Sequence, residues 1–246
     1  MEIYHVDLAP VPDSRPAVLS IGKFDGVHRG HQRILQTALE IKKPNELYSV
    51  ISFSPHPLWA LKGLPAFREA LTPGAEKERW LAHYGVDVLF ETNFTKEYAE
   101  TTPEQFVFEH LSQLQLSHII VGEEFNFGKG AASDVELLRE LVRPLGIQVT
   151  AIPVETEEGI ADKISSTEIR ALIRAGDIAR AEALLGHPWY VTGEVLDGVM
   201  YGIEDYSLPK PGRYETESGI VFVTEAHKIK SGLPDGRSSI RFIREI

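Results

Sequence analysis

His28 and His31 lie three residues apart, separated by Arg29 and Gly30. At helical spacing both rings project from one side of a helix's first turn. Exposed N–H groups and the positive end of the helix dipole favour an anion there, and two imidazoles add donors that can follow charge as it builds during a reaction. Gly30 has no side chain to block a ligand's approach. These residue types in this order point to phosphate chemistry. Three elements must position them: the apolar run Ala17 to Ile21 reads as a buried strand, and Gly22 to Val27, with Phe24 and Asp25, as a glycine-bearing turn. Arg29 onward reads as a helix with Ile34, Leu35, Ala38 and Leu39 on its inner face.

Three further segments have chemical content. After the second apolar strand come Phe53, Ser54, Pro55, His56 and Pro57. Two prolines stiffen that turn, which either presents an aromatic or carbonyl group to a planar ring or simply ends the strand. Val121 to Gly130 sets Glu124, Phe125, Asn126 and Phe127 among three glycines after a central strand. The rings offer flat apolar contact, and the glycines let backbone come close to a ligand. Ile164 to Arg170 begins with Ser165, Ser166 and Thr167, whose hydroxyls and helix-start amides make a second anion site. Arg170 lies far enough along to fold back as a forked donor. Ser165 and Glu168 also satisfy a capping-box pattern, so a purely structural helix start is the other reading.

These segments resemble the His-x-Gly-His nucleotidyltransferase superfamily, and the string Gly22 to His31 is similar to its bacterial FAD synthetase branch. Ile164 to Arg170 matches that branch's Ile-Ser-Ser-Thr-x-Ile-Arg without a change. The resemblance implies adenylyl transfer from ATP to FMN, giving FAD and pyrophosphate, with Mg²⁺ as the metal. It implies that His28 and His31 stabilise charge developing on the α-phosphate, and that Ser165, Ser166, Thr167 and Arg170 hold the departing pyrophosphate. Gly22, Phe24, Gly30, Phe53, Pro55, His56, Glu124, Phe125, Asn126 and Phe127 would then line the substrates. Asp25 has two open roles, a contact for Mg²⁺ or its water shell, and a brace for the turn. Glu124 stands where the family usually has Asp or Asn, Asn126 where Arg is common, and His187 where the family's Leu-Gly-Arg-Pro has Arg. The family's riboflavin kinase marker, Pro-Thr-Ala-Asn, is missing from Val199 to Leu208, so the chain is expected not to phosphorylate riboflavin. Two other readings stay open: the same chemistry on another phosphorylated acceptor, and a flavin-binding or regulatory protein derived from the enzyme.

The 246 residues suit one large domain or one plus a smaller one. Alternating apolar runs and amphipathic stretches, with strands near 17–22, 47–53, 86–90, 118–121 and 147–152, predict an α/β fold with a doubly wound parallel sheet. Thr102 caps a helix in which Phe106, Val107, His110, Leu111 and Leu114 share a face, with His110 in the core. Two short helices follow Ser165. Beyond Trp189, strands near 190–197, 219–225 and 238–244 predict a small, mostly β second domain, with the boundary at 187/188; the family resemblance implies that it is a remnant of a riboflavin kinase barrel. A piece that small should pack on the first domain or on another chain. With 25 basic and 36 acidic residues the net charge is −11, which argues against nucleic acid or anionic membrane as partners. The absence of cysteine and of a signal-like start predicts a cytoplasmic protein.

Overall fold

A computed structural model describes residues 1–153 and 164–246 of the chain. Their contacts form two compact units. The first carries residues 1–24, 30–68 and the chain from 78 through the last strand of a parallel sheet. The second carries residues 25–29, 69–77 and the chain from Ile164 to the C-terminus. The sequence boundary at 187/188 divides the chain differently.

In the first unit, β1 (Glu2–Val6), β2 (Asp13–Ile21), β3 (Leu47–Ser54), β4 (Val88–Asn93), β5 (Leu114–Gly122) and β6 (Gln148–Ile152) pair in the order β1-β4-β3-β2-β5-β6. Every neighbour is parallel. The connecting helices are α1 (Arg29–Ile41), α2 (Pro57–Lys62), α3 (Ala75–His83), α4 (Lys96–Ala99), α5 (Pro103–Gln105) and α6 (Val135–Val142). Successive strand residues point to opposite faces. Leu19, Ile21, Ile51, Phe90 and Val121 form one core with Phe106, Val107, Leu111, Phe127 and Leu138. Val18, Val50, Leu89 and Ile120, of the other parity, are also buried, so both faces of the sheet are covered. From β2 the chain winds to β3 and β4 on one side and to β5 and β6 on the other. The reversal lies between β2 and β5, where such sheets leave a crevice outside the strands' carboxyl ends.

Several expectations need correction. Leu39 is 41% exposed, whereas Ile34, Leu35 and Ala38 are buried; four residues within six positions of a helix cannot all reach one stripe. Thr102 does cap with a complete capping box, but α5 gives way to a π-helical turn at Phe106–His110 and a 3₁₀ turn at Leu111–Gln113. Leu114 therefore opens β5 instead of ending a helix. His110 is buried, as its spacing predicts. The edge strand β1 has no counterpart in the sequence reading, because three of its five residues are exposed and no apolar run marks it.

The second unit contains α7 (Ser166–Ala175), α8 (Ile178–Leu185) and six antiparallel strands closed as a barrel. The strands are β7 (Tyr190–Leu196), β8 (Val199–Tyr201), β9 (Gly212–Thr216), β10 (Gly219–Val223), β11 (Ile229–Ser231) and β12 (Gly236–Glu245), in the order β10-β11-β8-β7-β12-β9. β12 pairs with β7 along its first half and with β9 along its second, with a register shift between Phe242 and Arg244 that turns the barrel's corner. Gly193 is required there: a Cβ would lie 2.4 Å from the Tyr201 carbonyl oxygen. The sequence reading missed β8, β9 and β11, which span only three to five residues each. The core is shared. Trp189, Met200, Tyr214 and Phe242 of the tail pack with Ile169, Ile173, Ala181 and Leu185 of the two helices. Glu182 on α8 takes two hydrogen bonds from Arg241 and one from the Trp189 N–H. A small tail does not close a core alone, and here the helices that precede it contribute to one. Among the described residues no helix is long and apolar enough to cross a membrane.

Candidate active site

Ile21 ends β2 beside the topological reversal, and the next residues turn sharply. Gly22 N–H bonds to the Ile51 carbonyl at 3.1 Å, and Ser52 Oγ donates to the Lys23 carbonyl at 3.1 Å, which fixes the turn to β3. Phe24 is fully buried with φ at 49°, and its ring lies 5.2 Å from that of His31 in the first turn of α1. The carboxyl ends of β3 and β5 add the other segments of this unit. Ser54–Pro55 is a cis peptide bond, and His56 Nδ1 accepts from Leu58 N–H at 3.1 Å as the N-cap of α2. His56 also stacks on Phe67, at 4.6 Å between ring centres. Phe53 packs against Phe94 and Tyr98. After β5, Phe125 and Phe127 stack at 5.7 Å, nearly parallel. Phe127 is buried against Phe106, while Phe125 is only partly covered. Glu124 is exposed, and its carbonyl accepts from Asn126 Nδ2 at 2.7 Å.

The second unit holds the next part of the motif. Asp25 and Gly26 are held through both side-chain and backbone atoms. Asp25 Oδ1 accepts from Leu71 N–H at 2.7 Å and Thr72 N–H at 3.3 Å, and Oδ2 from Arg170 Nη1. Ser166 Oγ donates to the Asp25 carbonyl at 2.9 Å. Gly26 N–H donates to Thr72 Oγ1 at 2.9 Å, and the Gly26 carbonyl lies 2.9 Å from His187 Nε2. Gly26 is left-handed, with φ at 80°, and a Cβ there would meet Leu71 at 2.7 Å. Val27 and His28 follow, both buried.

α7 begins as its sequence predicts: Ser165 Oγ accepts from Glu168 N–H at 3.2 Å, and Gly176 ends the helix in the left-handed region. Arg170 is 2% exposed. Its Nη1 goes to Asp25 and its Nη2 lies 3.4 Å from Thr167 Oγ1. Burial draws the guanidinium below its ordinary pKa, and the Asp25 charge works against that shift. The sequence reading gave Arg170 to a departing phosphate; in the structure it is turned onto Asp25. Of the two readings for Asp25, the carboxylate's three donors are those of a brace. A carboxylate so occupied does not fit a magnesium ligand. Two residues outside the sequence-derived set, Thr72 and His187, hold the same turn. The Leu-Gly-His-Pro string was the signal for His187; nothing local marked Thr72.

Against this geometry, the family model described as FAD synthetase matches residues 11–168. The chain belongs to the FAD synthetase family. A Listeria monocytogenes protein named FAD synthetase is 61% identical over 247 residues, covering all of this chain and 99% of that one. An Escherichia coli bifunctional riboflavin kinase/FMN adenylyltransferase is 36% identical, with 80% of this chain matched to 61% of the longer protein. The solved structure of a protein described as a macrolide-efflux protein from Streptococcus pneumoniae has a TM-score of 0.84 at 23% identity. It covers all of this chain and 91% of that one. At that identity the likeness concerns the fold alone.

Proposed function

We propose that this chain transfers the adenylyl group of ATP to FMN, forming FAD and releasing pyrophosphate. A phosphate oxygen of FMN attacks the α-phosphorus in line, the bond from that phosphorus to the bridging oxygen breaks, and the electron pair leaves with pyrophosphate. No bond to the protein forms, so catalysis consists of positioning and of charge stabilisation. His28 and His31 serve as donors to the charge growing on the α-phosphate and bridging oxygen. Ser165, Ser166, Thr167 and the amides of α7 receive the leaving pyrophosphate. Phe125, stacked on the buried Phe127, offers a flat apolar face for the isoalloxazine ring, and Gly22, Gly30, Phe53, Pro55 and His56 border the substrates. Arg170 acts through Asp25, holding the imidazole turn against the hydroxyl-bearing helix. Mg²⁺ bound to ATP would offset charge on the phosphates.

The observation that carries this reading is the tie between the two anion-binding segments. Ser166 and Arg170 both bind Asp25, three residues before His28. The 61% identity to a FAD synthetase along both whole chains supports it. The purified protein, incubated with ATP, Mg²⁺ and FMN, should release pyrophosphate in step with FAD identified by chromatography. Pyrophosphate released only with a different phosphorylated acceptor, or FMN left unchanged, would overturn it.

We further propose that the barrel does not phosphorylate riboflavin, because the stretch from β8 to Leu208 lacks the Pro-Thr-Ala-Asn marker. Riboflavin supplied with ATP and Mg²⁺ should yield no FMN, and clear turnover would defeat the claim.

A further inference from the structure

His187 occupies an arrangement that a neutral imidazole cannot satisfy. It is 8% exposed, with Nε2 2.9 Å from the Gly26 carbonyl oxygen and Nδ1 2.8 Å from the Pro188 carbonyl oxygen. A carbonyl only accepts. A neutral ring carries one N–H, so one of these two contacts would set a nitrogen lone pair against an oxygen lone pair in a buried site. With both nitrogens protonated, each contact is a charge-assisted hydrogen bond. We propose that His187 is an imidazolium that positions the catalytic turn, holding the Gly26 carbonyl and through it the orientation of His28.

The surroundings make this bond consequential. Gly26 N–H is fixed by Thr72, the Asp25 carboxylate by Leu71, Thr72 and Arg170, and the Asp25 carbonyl by Ser166. The Gly26 carbonyl completes the set, two residues before His28, and His187 is its partner. The charged groups bonded to the same turn are the Asp25 carboxylate and Arg170, which is paired with it. On α8, Glu182 is engaged by Arg241 and by the N–H of Trp189, two residues after His187. Loss of the ring proton removes one donor from the Gly26 carbonyl.

Two measurements test this. In the resting protein, without substrates, ¹⁵N spectra of histidine-labelled material should show one ring, absent from His187→Gln, with both nitrogens protonated at pH 7. A single-protonated His187 ring at that pH would overturn the assignment whether or not the protein makes FAD. The kinetic half rests on the adenylyl-transfer reading. Displacement of a reacting group by about an ångström costs up to about 10² in rate. His187→Gln, which carries only one donor edge, should lose about tenfold or more in kcat with the KM for ATP little changed. Wild-type kcat should fall on the alkaline side as the ring deprotonates, and His187→Arg, with a permanent cation, should lack that limb. An alkaline limb equal in wild type and His187→Arg, or wild-type kcat in His187→Gln at every pH, would overturn the positioning role.

Discussion

Asp25→Asn removes a charge while keeping size and shape, and its cost can be worked from the buried ion pair. Arg170 is 2% exposed, its Nη1 donates to Asp25 Oδ2, and its Nη2 lies 3.4 Å from Thr167 Oγ1. Breaking a buried ion pair by removing one partner's charge costs about 3–5 kcal/mol. For a protein of this length, each kcal/mol lowers Tm by about 2–4 °C, so the variant should melt on the order of 10 °C below wild type. The Asn carbonyl can still accept from the Leu71 and Thr72 amides, which keeps the loss in the charge and not the backbone bonds. A second change, Arg170→Met, removes the cation as well, and the double variant should melt above Asp25→Asn alone. Calorimetry on the four proteins of the cycle reads both effects. An Asp25→Asn midpoint within about 1 °C of wild type, with no recovery in the double variant, would refute the view that this pair clamps the turn.

Three other outcomes are expected. His31→Ala should lower kcat by about 10² to 10³, the usual cost of one donor aimed at developing charge, with a smaller change in ATP affinity measured by titration calorimetry. Gly193→Ala should destabilise the barrel, because the new methyl would meet the Tyr201 carbonyl at 2.4 Å and Met200 at 2.7 Å. Circular dichroism should show an early loss of the barrel's signal on heating. Burial holds the pKa of His110 below its ordinary value of 6.5, and no hydrogen-bond partner meets its buried Nδ1 among the described residues. The unfolded chain therefore binds a proton there more readily than the folded one, and stability is lost as pH falls below about 6.5. Urea midpoints should decline from pH 7 to pH 5.5, and His110→Leu should decline less.

Five of the sheet's six strands were legible because they are apolar runs separated by marked helix starts. Thr102 with Gln105 forms its full capping box, Ser165 caps α7 through the Glu168 N–H, and Gly176 and Gly186 end their helices in the left-handed region. The barrel was only half legible. β8 and β11 have three residues each, too few for alternation to register. At the site, residue types and the anion-binding character of two segments could be read from spacing. The orientation of Arg170 could not, because it depends on Asp25, 145 residues earlier in the chain. Asp25's role likewise turned on Leu71 and Thr72, whose contribution is made by backbone amides that carry no side-chain signature.

The grip on the Asp25 carbonyl comes from Ser166, 141 residues later. During vectorial synthesis the histidine-bearing turn leaves the ribosome early, and its clasp emerges only after the whole parallel sheet has been made. Because domains fold as units and N-terminal ones first, a nascent chain passes through a stage with a finished sheet and an unsecured motif. The turn around Asp25 is secured only once Ser166 and Arg170 have emerged, and a chain terminated before them would carry the sheet without its clasp.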